Sequence, residues 1–308
     1  MRWQNGELAL ERRRVGLIYW MLSTGETLQV EGLDVSVHPA LSLSHHTHTH
    51  TQFNGKRTGA WCLDPIDGTK GFLRKNGQYA VCLALLVNAQ VQLGVIGCPN
   101  LPCSPDIPLD STDPNVERGC LFVAVRGQGA QQITLSPYPS NPKPITISPI
   151  QNPSDLSFLE SVEAAHSSHG FNALVTQILG IKKDAVRMDS QAKYCCLARG
   201  QGGAYLRMPT GVGYREKIWV RRFCSILPFP HVFLCFFTLT LSLLQDHAPG
   251  SLLISEANGI VSDSRGQPLD FGLGRDLGEN YGVIATGKDV HEALIAAIKK
   301  ALDKEKTM

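Results

Sequence analysis

A chain of 308 residues, 43% apolar and 18% charged, has room for two ordinary domains or one layered one, and its composition excludes a disordered protein. Lys and Arg number 29 against 27 Asp and Glu, a net charge of +2 that is too balanced for a binder of polyanionic nucleic acid. The 9 cysteines are odd in number, scattered, and without a recurring C-x-x-C, so neither a zinc ribbon nor a disulfide framework is indicated; reduced, buried thiols are expected.

The opening "MRWQNGELALERRR" carries charge but no following apolar core, so no secretory signal is read and the cytoplasm is the expected compartment. Residues 1–52 show weak periodicity and close on "LSLSHHTHTHTQ". Its histidines 45, 46, 48 and 50 resemble a soft-metal tract, but a translated dinucleotide repeat is the preferred reading. From residue 53 the texture changes. "YAVCLALLV" (79–87), the turn Asn88-Ala89 and "VQLGVIG" (91–97) predict a hairpin of buried strands, and 120–136 a second hairpin around its glycines. The Pro-, Ser- and Asn-rich stretch 137–154 is the expected seam between two halves.

Beyond the seam, elements alternate in the α/β manner. "FLESVEA" predicts a strand, "FNALVTQILG" a helix, "AVRM" a strand, "QAKYCCLARGQ" a helix and "GAYLR" a strand. "DHAPGSLLISEANG" predicts a helix running from an Asp N-cap to a Gly stop, followed by the strand "IVSD". The last helix spaces Val290, Leu294, Ile298 and Leu302 along one face. Between these lies a 22-residue run, "FCSILPFPHVFLCFFTLTLSLL" (223–244), without Asp, Glu, Lys or Arg. Its length fits a membrane span, but Pro228, Pro230 and His231 argue against one.

The stretch "WCLDPIDGTKGF" (61–72) concentrates chemistry. Pro65 biases Asp64 towards an extended backbone, so the expected geometry is a strand "AWCLD" ending in a turn, with Asp64 and Asp67 at its tip and the Ile66 carbonyl between them. Three hard oxygens from one short loop suit Mg2+. Gly68-Thr69 then opens a helical turn whose N–H groups can hold a phosphate, while the Thr69 hydroxyl can orient a water. Simple turn and helix capping by the two aspartates is the competing explanation.

"DPIDGTKGFLR", "QYAVCLALL" and "GCPNLP", with "HSSH" (166–169), "DSQAKYC" (189–195), "YLR" (205–207), "REKIW" (215–219) and "DHAPGSLLISEANGIVSD", resemble the 3'(2'),5'-bisphosphate nucleotidases of the inositol monophosphatase superfamily. The resemblance spans about residues 53–303. It implies a layered αβαβα sugar-phosphatase fold of the α/β class. It also implies lithium-sensitive, Mg2+-dependent hydrolysis of the 3'-phosphate of adenosine 3',5'-bisphosphate to AMP, a step of sulfur assimilation. Asp64, the Ile66 carbonyl, Asp67 and Asp246 match metal ligands, Thr69 the residue that helps activate the attacking water, and Asp67 joins it in catalysis. Thr69, His166, Ser190, Lys193, Arg207 and Asp246 match substrate contacts. Ser190 can cap the helix that begins there, with Lys193 one turn up the same face, and Arg207 completes a cationic corner for phosphate oxygens. Asp246 is expected to cap its helix as well as ligate metal, and Pro249 falls in the first turn, where a missing N–H is tolerated.

Two departures stand out. The family's upstream Asp and its "GEE" loop have no counterpart in residues 1–52, and neither Glu26 nor Glu31 stands in the right context, so weaker cation binding is expected. In the family, the Trp of "REKIW" leads directly into Asp-His-Ala; here Val220 to Gln245, 26 residues, intervene. The stretch begins with a codon starting GT, can end in CAG, and is rich in Leu, Phe, Ser and Thr towards its end, as a retained intron read in frame would be. The organisation read from sequence is an atypical segment 1–52 that does not derive from the family, a metal-binding part 53–150, and a nucleotide-binding part 151–308 carrying the insert 220–245. A monomer acting on a small nucleotide is expected, without nucleic-acid or membrane partners. An inositol-polyphosphate 1-phosphatase-like activity, or an inactive nucleotide-binding product, is the alternative.

Overall fold

The computed structural model describes residues 28–30, 33–35, 52–53, 56–57, 60–74, 77–109, 111–135, 141–162, 169–209, 225–226, 235–236, 247–273 and 281–307. The histidine tract at 45–50, Glu26, Glu31, most of the apolar run, His166 and Asp246 lie outside them. Two short antiparallel ladders come first: β1 (Leu28–Val30) with β2 (Leu33–Val35), and β3 (Gln52–Phe53) with β4 (Lys56–Arg57).

The first large sheet is an antiparallel meander of β5 (Ala60–Asp67), β6 (Ala80–Val87), β7 (Gln90–Pro102), β8 (Arg118–Val125), β9 (Gly129–Thr134) and β10 (Lys143–Ile145). Helix α1 (Thr69–Arg74) follows β5. Both expected hairpins form. The first turns on Asn88 and Ala89, each left-handed at φ 51° and 66°, the conformation that matches the twist of paired strands. One expectation changes. The first strand does not stop at Asp64 but continues to Asp67, because a bulge between them accommodates Pro65, which has no N–H to give a ladder.

The second sheet contains β11 (Phe158–Glu160), β12 (Val186–Arg187), β13 (Ala204–Arg207), β16 (Gly259–Ser262) and β17 (Val283–Gly287) in the order β12-β11-β13-β17-β16. β11 runs parallel to β12 and β13, and β17 antiparallel to its two neighbours. β11 is shorter than "FLESVEA", whose end lies outside the described residues. A further two-stranded ladder joins β14 (Ser225–Ile226) to β15 (Cys235–Phe236) within the apolar run. The sheets divide between Ile145 and Phe158, within and just beyond the expected seam.

Helices α2 (His169–Leu179), α3 (Ala192–Ala198), α4 (Ala248–Glu256) and α5 (Lys288–Thr307) fill two layers. α3 and α4 lie between the sheets, in a core with Phe122, Tyr194, Leu197, Tyr205 and Leu252. α2 and α5 cover the outer face of the second sheet, and Val290, Leu294 and Ile298 are fully buried there beside Phe171 and Val175. The described residues thus make β–α–β–α layers, four of the five expected. α4 corrects a second expectation: its N-cap is His247, which makes no side-chain cap, and the left-handed residue that follows its end is Asn258 (φ 68°), while Gly259 already pairs in β16. Cysteines 62, 82, 98, 120, 195 and 196 are buried free thiols and Cys103 is half-buried. Among the described residues no helix is long and apolar enough to cross a membrane.

Candidate active site

Asp64 and Asp67 stand at the end of β5 with 2% and 1% of their surface exposed. The bulge shifts the register of the strand between them. The Ile66 N–H donates to Asp64 Oδ1 at 3.0 Å, and the Ile66 carbonyl accepts from Thr69 Oγ1 at 3.2 Å. Gly68 between them is left-handed at φ 79°, and a Cβ on it would lie 2.8 Å from the Ser190 Cβ, so only glycine lets this loop touch the one before α3.

That second loop supplies the partner. The Gln191 N–H donates to Asp67 Oδ2, while Asp67 Oδ1 is buried with no hydrogen-bond partner among the described residues. Ser190 is left-handed at φ 65°, and its Oγ accepts from the Ala192 N–H at 3.1 Å. This corrects an expectation: the N-cap of α3 is Gln191, which makes no side-chain cap, and the Ser190 bond closes the turn just before it. Positive φ at a non-glycine residue is costly and marks a backbone held by its surroundings.

Two cations close the site. Lys193 on α3 and Arg207 at the end of β13 are each 1% exposed, so neither is a solvated surface charge. Lys193 Nζ donates to the Met188 carbonyl at 3.1 Å and lies 5.5 Å from the Tyr205 ring centre. Burial pulls its pKa down to about 8 against the attraction of Asp67, and Arg207 adds to the lowering. Burial and, next, the charge of Asp64 push Asp67 up to about 7, opposed by Lys193, the Gln191 N–H and Arg207. Two carboxylates crowded in a dry site, with one oxygen lacking a hydrogen bond, are a donor set suited to a hard divalent cation. Among the described residues no third Asp, Glu, His or Cys joins them.

Of the residues expected from sequence, the structure brings Asp64, Ile66, Asp67, Thr69, Ser190, Lys193 and Arg207 to one place; His166 and Asp246 lie outside the described residues. Others were not foreseen. Arg74 Nη2 pairs with Asp189 Oδ2, tying the end of α1 to the loop that carries Ser190. Tyr194 and His247 join across α3 and α4, the phenol oxygen 2.8 Å from Nδ1. Asp189, Gln191 and Tyr194 all belong to "DSQAKYC", so the motif itself was the available signal.

The sequence pattern of the "Inositol monophosphatase family" matches residues 26–219, beginning inside the segment read as atypical and ending at Trp219. The 3'(2'),5'-bisphosphate nucleotidases of Emericella nidulans and Schizosaccharomyces pombe are 44% and 43% identical over 254 residues, covering 80% and 82% of this chain. The chain spans 64% and 63% of the length of these two relatives. Among solved structures, the extragenic suppressor protein suhB from Bartonella henselae is similar at a TM-score of 0.51 and 20% identity, covering 79% of this chain and 70% of that one. At that identity the likeness speaks for the fold.

Proposed function

The chain belongs to the inositol monophosphatase family, and from that premise we propose that it hydrolyses the 3'-phosphate of adenosine 3',5'-bisphosphate to AMP and phosphate, with Mg2+ as cofactor. Asp64, the Ile66 carbonyl, Asp67 and Asp246 are the residues that would hold the ion. Bound there, it would supply positive charge to the ester oxygens and acidify a water. Thr69, hydrogen-bonded to the Ile66 carbonyl, is anchored beside the carboxylates, and its hydroxyl oxygen can accept from a water. Lys193 and Arg207 supply buried positive charge for phosphate oxygens, and burial strengthens that attraction. Ser190 and His166 complete the nucleotide contacts in this reading.

One observation carries the proposal. Asp67, from the first sheet, receives a hydrogen bond from Gln191, 124 residues away, and feels the charges of Lys193 and Arg207. A capping role for the aspartates would require neither burial nor that company. The relatives named above point to the nucleotide rather than an inositol phosphate as substrate. The end of the family match at Trp219 supports reading 220–245 as an insert within the nucleotide-binding part, 151–308, which follows the metal-binding part, 53–150. The proposal takes the protein as a cytoplasmic monomer without nucleic-acid or membrane partners.

The test is phosphate release from adenosine 3',5'-bisphosphate and from an inositol bisphosphate, with Mg2+ or with chelator, by the full chain, a form lacking 220–245, and Asp64→Asn. Release from the nucleotide that needs Mg2+ and is lost in Asp64→Asn supports the reading. Faster release from the inositol ester, or AMP binding without turnover in either form, overturns it.

A further inference from the structure

Gln191 is buried and holds two things at once. Its main-chain N–H fixes Asp67 Oδ2, and its side-chain Oε1 accepts from the Gly250 N–H, in the first turn of α4, at 3.0 Å. A helix start leaves N–H groups that its own N-cap side chain usually satisfies; here His247 makes no such bond, and a residue of another helix does so instead. Beside it, the Tyr194 hydroxyl lies 2.8 Å from His247 Nδ1, with both side chains buried.

The grip is close on both sides. A Cβ at Gly250 would fall 2.4 Å from the Tyr194 ring and 2.6 Å from Gln191 Oε1. On the other side, Gly94 of β7 leaves so little room that a Cβ there would meet the Pro249 carbonyl at 2.8 Å. The start of α4 thus has one position relative to α3 and the first sheet. It also has one position relative to Asp67, because the same glutamine holds both.

We propose that Gln191, with Tyr194, is a positioning residue: it sets the separation between Asp67 and the start of α4, and through that the geometry of the cation site. The inference rests on the metal-dependent reading above. A hard divalent ion needs its oxygen ligands within a few tenths of an ångström of their places, so ligands from distant segments must be held by a common support. Asp67 is one such ligand in that reading, and Asp246, the residue before His247 in the chain, is the other. Neither Gln191 nor Tyr194 need touch the ion or the substrate.

The test uses the full chain and Mn2+ alone, read by the electron paramagnetic resonance of the free ion, beside thermal midpoints and nucleotide kinetics at saturating metal. Gln191→Met keeps the side-chain length and the N–H to Asp67 but loses the acceptor for Gly250. It should weaken Mn2+ binding about tenfold, as loss of a residue that orients a ligand from behind does, with KM for the nucleotide unchanged at saturating metal. Tyr194→Phe should shift Mn2+ binding in the same direction but by less, since Gln191 still holds the start of α4. Val175→Ala, in the other core, should lower the midpoint and leave Mn2+ affinity alone. If Gln191→Met binds Mn2+ within about twofold of the parent, whatever its midpoint, the contact is merely structural and the inference fails. If Gln191→Met does not fold, Tyr194→Phe decides, and unchanged affinity there overturns it. Should the parent bind no Mn2+, or Asp67→Asn bind it equally, the metal reading itself falls and the inference with it.

Discussion

Replacing Asp67 by Asn should strengthen the metal-free fold while abolishing activity, two effects of opposite sign. Burial and the neighbouring Asp64 raise the Asp67 pKa from 3.8 to about 7. Because the folded value lies above the unfolded one, ionising this group costs nothing below pH 3.8. The cost then grows as pH rises, and is complete above about 7. At pH 8 the rise from 3.8 to about 7 corresponds to about 4 kcal/mol. Asn carries no charge and can still accept from the Gln191 N–H, but it puts an amide N–H group where Oδ1 now has no partner, beside Lys193 and Arg207. That donor gives back about 1–3 kcal/mol. The net expectation is a gain of about 1–3 kcal/mol at pH 8, shrinking and then reversing to a loss of about 1–3 kcal/mol as pH falls towards 4. Urea unfolding of both proteins with chelator, at a series of pH values, measures it, and Mg2+-dependent phosphate release should fall by at least about a hundredfold. A variant less stable than the parent at pH 8 without metal would show that Asp67 is well satisfied as an anion and that no cation is needed there.

The remaining expectations are smaller. Lys193→Met, which keeps the buried volume, should raise KM for the nucleotide about tenfold or more, the worth of one charge-assisted hydrogen bond, and should push the Asp67 pKa further up; steady-state kinetics that show only a kcat change would contradict it. His291, buried and 2.8 Å from Ser262 Oγ, has its pKa held below 6.5 by burial, so the unfolded chain takes up its proton first and stability drops as pH falls through 6.5. His291→Gln should remove that part of the acid slope in urea titrations as pH falls through 6.5, and an unchanged slope would count against it. Removing 220–245 should raise soluble yield and phosphate release, and transcripts should join the Trp219 codon directly to that of Asp246; reads running through the stretch in most transcripts would overturn its reading as an intron.

Local elements were legible because their signals are local. The β6–β7 hairpin rests on two continuous apolar runs and a two-residue turn, and α5 on a single four-residue spacing. β5 was read short because Pro65 normally ends a strand, and the bulge that rescues it depends on β6 as partner. The end of α4 was misplaced by one residue because Asn258 and Gly259 both tolerate a left-handed backbone, and only the β16–β17 pairing decides between them. At the site, the two aspartates were visible in one motif. Lys193 and Arg207, taken singly, read as surface cations until resemblance placed them, and their burial is a tertiary fact. The motif held Gln191 and Asp189, but the contacts they make were silent because each joins segments more than a hundred residues apart, 124 and 115 respectively.

The position of the extra stretch explains why the surrounding fold can survive it. β13 ends at Arg207 and α4 begins beside His247, and both ends are fixed at the same site, one by the company of Asp67 and the other by Tyr194. The connection between them is about 40 residues with the stretch and about 14 without it. Closing the longer loop costs only about 1 kcal/mol more, since the penalty grows with the logarithm of length. Stability alone therefore does not select against the insert. Any harm to the proposed activity would come from chemistry: an uncharged run of 22 residues in the chain between Arg207 and His247, where the proposed substrate is a polyanion. On that argument, deletion should change midpoint temperature by only a few degrees while improving solubility and substrate access far more. A large rise in midpoint with no gain in either would mean that the stretch strains the layers themselves.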